Sequence, residues 1–237
     1  MKQRIWELDA FRGLCILGMV IVHFVYDLVD MYGILRWDYP ESFLFIKQWG
    51  GVLFFLLSGI CATLGRRSFR RGLIVFGCGL VVTAATAGMY LFGFAGSGMI
   101  IYFGVLHCLG VCMMLWGLLK KAPWWVLLLI SIVTIPLGLS FMNQPGIDSY
   151  LFMPLGLYWE GFLSSDYFPL LPFVGFFLLG CLLGRLLYRN GESLLPGVNA
   201  RNPILRFLQF TGRQSLWVYL FHQPVLMGIC MVLQLFV

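Results

Sequence analysis

The chain has 237 residues, of which 60% are hydrophobic and only 11% charged, with a mean hydropathy of +0.90. That much apolar surface excludes a soluble globular domain and makes the bilayer the expected solvent. The net charge of +6 would suit nucleic acid, but its placement along the chain follows membrane topology, so no nucleic-acid partner is expected.

Seven apolar runs of spanning length follow one another, at about 11–31, 43–64, 72–93, 98–119, 123–141, 168–188 and 214–236. The expected fold is therefore all-α: a polytopic membrane protein, one integral membrane domain over residues 1–237, built as a bundle of seven transmembrane helices. The first run follows a short polar lead and has no A-x-A-like exit, so it reads as a span and not as a cleavable signal. Pro136 interrupts the fifth run, which membrane helices tolerate. The gap 142–167 is rich in Pro, Gly and aromatics and is expected to carry a short interfacial helix. No internal repeat stands out, which counts against a transporter built from inverted halves.

The first run holds the most informative residues. Arg12 and His23 are eleven residues apart, and eleven steps of 100° return a helix to within about 20° of its starting direction. They share a face, about 16 Å apart along the axis. Met19 and Asp27 fall near the same stripe. A guanidinium, an imidazole and a carboxylate on one side of a membrane helix are costly to bury and mark a functional cavity. Asp27, one turn beyond His23, is expected to orient its ring or stabilise an imidazolium.

The charges suggest an orientation. The N-terminus and the connections after the second, fourth and sixth runs hold Lys2, Arg4, Arg12, Arg66, Arg67, Arg70, Arg71, Lys120, Lys121, Arg185, Arg189, Arg201, Arg206 and Arg213, which is 14 of the 16 basic residues. Only Arg36 and Lys47 fall on the other side, with most of the acids, Asp27, Asp30, Asp38, Glu41, Asp148, Glu160 and Asp166. The bias places the N-terminus in the cytosol and the C-terminus outside.

The three histidines, His23, His107 and His222, all fall inside predicted spans. His107 lies at about the depth of His23. His222 precedes Gln223 and Pro224, so a polar cluster there either serves chemistry or repairs a kink. No two histidines stand at i, i+3 or i+4, and no metal is expected. Seven scattered cysteines read as small buried hydrophobes. Asp166 either binds an acceptor or caps a helix. Ser58-Gly59 is either a packing notch or a cavity wall, and Gly175, Gly180 and Gly184 allow close helix contacts, including those of a homodimer. Arg66, Arg67, Arg70 and Arg71 form a basic cluster that suits lipid headgroups or the phosphates of an anionic cofactor.

Several motifs share an order with a known family. Leu8-Asp-x-x-Arg-Gly13 followed by Met19-Val-Ile-Val-His23 resembles the opening of the heparan-α-glucosaminide N-acetyltransferase catalytic-domain family, part of a broader transmembrane acyltransferase superfamily. The Arg12–His23 spacing is also similar to that of bacterial membrane O-acyltransferases of cell-surface polysaccharides. Phe54-Phe-Leu-Leu-Ser-Gly59, Tyr102-Phe-Gly-Val-Leu-His107, Asp166-Tyr-Phe-Pro-Leu-Leu-Pro172 and Gly212-Arg-Gln-Ser-Leu-Trp-Val-Tyr-Leu-Phe-His-Gln-Pro224 resemble later helices of the family.

The resemblance implies a membrane-embedded acyltransferase in a bacterial cytoplasmic membrane. Acetyl-CoA or another acyl-CoA would be the cytosolic donor, and a sugar or glycan the acceptor on the outer face, with membrane lipids as further partners. His23 would be the base, or in a variant mechanism the acyl-carrying nucleophile, Asp27 its orienting acid and His107 a second proton handler or oxyanion donor. Arg12, Arg66, Arg67, Arg70, Arg71 and His222 would contact the donor, and Asp166 and Tyr102 the acceptor. The competing reading is a proton-coupled transporter, channel or lipid-handling protein using the same His–Asp stripe.

Overall fold

The computed structural model describes residues 4–94, 96–142, 147 and 149–236, and these form helices and turns with no strand among them. Lys2 and Asp148 lie outside the described residues. The helices are α1 (Trp6–Tyr26), α2 (Glu41–Leu64), α3 (Ser68–Leu91), α4 (Val105–Leu119), α5 (Trp124–Phe141), α6 (Leu170–Leu187), α7 (Pro203–Arg213) and α8 (Ser215–Gln234). α1 runs on into a π-helical turn, Asp27–Met31. Among the described residues, six of the apolar runs give helices long enough to cross a bilayer, and α4 is a shorter apolar helix. The protein is an integral membrane protein with an all-α, polytopic fold. The chain divides into two compact units, Met1–Leu57 with Asn190–Val237, and Ser58–Arg189.

In the first unit α1 packs along α7, and α8 packs on α1 and its π turn. Glu7, buried near the start of α1, accepts hydrogen bonds from the Ser193 hydroxyl and the Leu194 amide, each at 2.8 Å, which ties α1 to the connection before α7. α7 was not expected as a separate helix. Its start follows the usual chemistry: the Asn202 side chain accepts from the Ile204 amide at 2.9 Å, and Pro203 fills the first helical position. Its Leu208–Gly212 side meets α1 backbone to backbone. A Cβ on Gly13 would overlap the Leu208 carbonyl, and one on Gly212 would overlap the Asp9 carbonyl. Ile204, Phe207 and Phe210 remain exposed. This is the amphipathic element of the chain. The expected helix in 142–167 is replaced, among the described residues, by a 3-10 turn at Met153–Leu155.

In the second unit α3 packs on α4, and α5 on α6. Ser58-Gly59 proves to be a packing notch, because a Cβ on Gly59 would overlap the Phe177 carbonyl of α6. Gly184 meets Ile60 and Thr63 of α2, and Gly175 meets Thr134 and Ile135 of α5. These glycines are consumed within the chain, so they supply no argument for a homodimer. Arg185 closes the far end of α4. It donates to the Ala122 and Lys120 carbonyls at 2.8 Å each and stacks over the Trp116 ring.

Candidate functional site

The first unit gathers a polar cluster from α1 and α8. His23 and His222, nearly two hundred residues apart in sequence, bring their ring centroids within 5.0 Å in an edge-on pair. His222 Nδ1 lies 2.6 Å from the Tyr219 carbonyl oxygen. A carbonyl can only accept, so the Nδ1 atom carries the proton and the neutral ring has its lone pair on Nε2. His23 is half-buried, and its ring makes no hydrogen bond to a described residue.

Asp27 is 1% exposed at the start of the π turn. The expected orienting contact, in which Asp27 would accept from the His23 ring, is not formed. Instead Gln223 of α8 donates Nε2 to both carboxylate oxygens, at 3.1 and 3.0 Å. The Asp27 amide still bonds to the His23 carbonyl, so the two residues keep the i to i+4 register, and it is the Gln223 amide that takes the carboxylate. Arg12 lies on the same uninterrupted helix as His23, so the axial separation of about 16 Å holds. Arg4, Arg12 and Arg213 all lie within electrostatic reach of Asp9. The Gly13–Gly212 contact explains that gathering, since it brings the flanking Arg12 and Arg213 of two motifs together.

Beyond the π turn, the Tyr39 hydroxyl donates to Asp30 at 2.5 Å, and Lys47 sits over the Tyr26 and Tyr39 rings. Burial and the carboxylate beside it push the Tyr39 phenol up to about 12.

The second unit places His107 and Asp166 together, but at a helix start. The expected fourth span from 98 begins as a helix only at Val105. His107 is therefore the third residue of α4 instead of lying well inside a span that begins at 98. Its Nδ1 accepts from the Gly104 amide at 3.2 Å, which puts the proton on Nε2. Nε2 is 3.4 Å from Thr83 Oγ1, whose own proton goes to the Ile101 carbonyl at 2.6 Å. Both ring nitrogens are engaged. The ring is 2% exposed, stacked near Phe103 and edge-on to Phe76, with Gly79 leaving room for it.

Asp166 accepts from the Val105 amide at 3.1 Å, so of its two expected roles the structure shows the cap, applied to α4 and not to the helix that follows it. The surrounding loop is stitched on by Ser164 to Ile100 at 2.8 Å and by the Phe168 amide to Phe103 at 3.0 Å. Tyr102 is half-buried in a group of aromatic rings with Trp159 and Phe162. Nearby Tyr167 donates to the Met153 carbonyl at 2.6 Å, and burial with Tyr158 alongside raises its phenol above the ordinary range.

Arg66, Arg67, Arg70 and Arg71 are all exposed, in the short α2–α3 connection and the first turn of α3. They belong to the second unit and Arg12 to the first.

Sequence reading passed over Gln223 as a functional group, although a Gln inside an apolar span beside a histidine and a proline was the available signal. It also missed the His23–His222 pairing, which no local periodicity encodes.

Among known proteins, no curated protein and no solved structure matches this chain. The family model described as heparan-alpha-glucosaminide N-acetyltransferase, catalytic, matches residues 4–224. That range holds α1 with its Arg12–His23 stripe, the α4 start with His107 and Asp166, and the α8 segment ending at Pro224. The chain belongs to the heparan-α-glucosaminide N-acetyltransferase catalytic-domain family, and its activity class is that of a membrane acetyltransferase.

Proposed function

We propose that the protein transfers an acetyl group from acetyl-CoA, supplied from the cytosol, to a hydroxyl or amine of a sugar or glycan on the outer face of a bacterial cytoplasmic membrane. The N-terminus lies inside and the C-terminus outside, as the basic residues suggest. The observation that carries this reading is the His23–His222 pair, set on α1 beyond Arg12 and joined by α8.

The chemistry asks one thing of the chain above all: a neutral imidazole where the acceptor meets the thioester. His23 takes the acceptor's O–H or N–H proton as the acceptor oxygen or nitrogen attacks the thioester carbonyl. The C–S bond breaks, and the departing CoA thiolate takes that proton from His23, which returns to its neutral form. A positioned base of this kind typically speeds transfer about 10²–10⁴-fold. His222, its Nδ1 proton fixed on the Tyr219 carbonyl, holds the His23 ring edge-on. Arg12 binds phosphate or pyrophosphate of the donor, and the exposed Arg66, Arg67, Arg70 and Arg71 offer a further phosphate-binding surface. The buried Asp27–Gln223 pair fixes α8 against the π turn of α1.

Purified protein in lipid nanodiscs is given labelled acetyl-CoA and a panel of sugars and glycans. Transfer is expected in the wild type, with a loss of about 10²-fold or more in His23→Ala. Arg12→Ala is expected to weaken acetyl-CoA binding. Transfer at wild-type rate by His23→Ala overturns the assignment of the base.

A further inference from the structure

Among the described residues, Gln223 is bound on one arm only. Its Nε2 is committed to the Asp27 carboxylate, which can only accept. Its Oε1 is buried and has no hydrogen-bond partner among the described residues. Buried side-chain acceptors are nearly always satisfied, and one that is not carries a desolvation cost that a bound donor removes. Asp27 holds the amide in this orientation, because turning it over would set carbonyl against carboxylate. The orphan oxygen stands in a membrane helix, next in sequence to His222 and beside the π turn that follows His23, and π turns are frequent at functional sites.

We infer that Gln223 Oε1 is a recognition point for a neutral O–H donor, a sugar hydroxyl of the acceptor, with Asp27 as the positioning residue that aims it. The inference rests on the acetyltransferase reading for the identity of the ligand. A buried oxygen acceptor selects for a donor, and a hydroxyl satisfies it without bringing a charge into the span. Asp27 reaches no ligand in this scheme. It acts by holding the Gln223 amide the right way round.

The test uses methyl α-D-glucoside as a neutral probe, titrated by calorimetry against the 237-residue chain in nanodiscs, without acetyl-CoA. Gln223→Leu removes both arms and leaves Asp27 buried without its partner, so it is expected to lose fold as well. Gln223→Lys is the informative variant, since an ammonium keeps a donor on Asp27 but has no acceptor oxygen. Saturable binding is expected in the wild type and about tenfold weaker binding in folded Gln223→Lys. With acetyl-CoA present, the sugar KM is expected to rise by a similar factor and the acetyl-CoA KM to stay within about twofold. Asp27→Asn, which frees the amide to turn over, is expected to weaken the sugar in the same way. Equal glucoside affinity in wild type and folded Gln223→Lys overturns the inference, as does the absence of glucoside binding by the wild type. Glucoside binding that depends on Gln223 without any acetyl transfer supports the subsite and counts against the transferase reading, so the two failures are separable.

Discussion

Gly212→Ala tests whether the α1–α7 seam is as tight as its backbone contact implies. A Cβ at 212 would overlap the Asp9 carbonyl oxygen and lie 2.8 Å from the Gly13 amide nitrogen. Both are backbone atoms, so no side chain can swing aside and the helices must part. Overpacking of a tight interior costs about 1–3 kcal/mol, and the upper end applies where only rigid atoms are met. For a chain of this size, about 3 kcal/mol corresponds to a Tm lower by about 6–12 °C. Gly18→Ala and Gly228→Ala are the controls, because a Cβ at either position meets nothing within 4 Å. Each is expected to be neutral or slightly stabilising, as alanine is favoured over glycine inside a helix by about 0.5–1 kcal/mol. The seam also gathers Arg12 and Arg213 around Asp9, so Gly212→Ala is expected to raise the acetyl-CoA KM. Thermal unfolding of detergent-purified protein, followed by intrinsic fluorescence, reads the shift. If Gly212→Ala melts with the two controls, the backbone-to-backbone contact between α1 and α7 is wrong.

His107→Ala leaves the buried Gly104 amide without its acceptor and opens a gap between Phe76, Phe103 and Gly79. A loss of about 2–4 kcal/mol in unfolding stability is expected by the same melting assay. A fall in kcat with stability unchanged would restore the proton-handling role in place of the helix cap. The Tyr39 phenol, raised to about 12, favours the folded state below the ordinary tyrosine value near 10, and that contribution is lost as the pH rises through about 12. The tyrosinate absorbance missing from Tyr39→Phe is therefore expected to titrate near 12 in the wild type and lower in Asp30→Asn. A wild-type transition near 10 refutes the Asp30 contact.

Hydropathy alone gave the apolar runs, because spanning length and the lack of charges are properties of a continuous stretch. The positions that failed are those where a side chain from a distant segment decides local structure. Residues 98–104 are apolar enough to read as helix. They are instead held outside α4, because Asp166 and His107 take the Val105 and Gly104 amides and fix the helix start at that point. α7 is too polar on one side to register as a span, and only the pairing of Gly13 with Gly212 explains why it lies along α1. The stripe of Arg12 and His23 was legible from eleven steps of a regular helix. Asp27 fell on the same stripe by the same count and keeps that register, but its carboxylate answers to Gln223 of α8, which no local count encodes. The motifs that bear the family likeness thus divide by physical task. Gly13, Gly59 and Gly212 let backbones touch, and His107 and Asp166 set where α4 begins. The groups on which the proposed chemistry rests lie on α1 and α8, where His23 meets His222 and the Gln223 carbonyl oxygen is buried without a hydrogen-bond partner among the described residues.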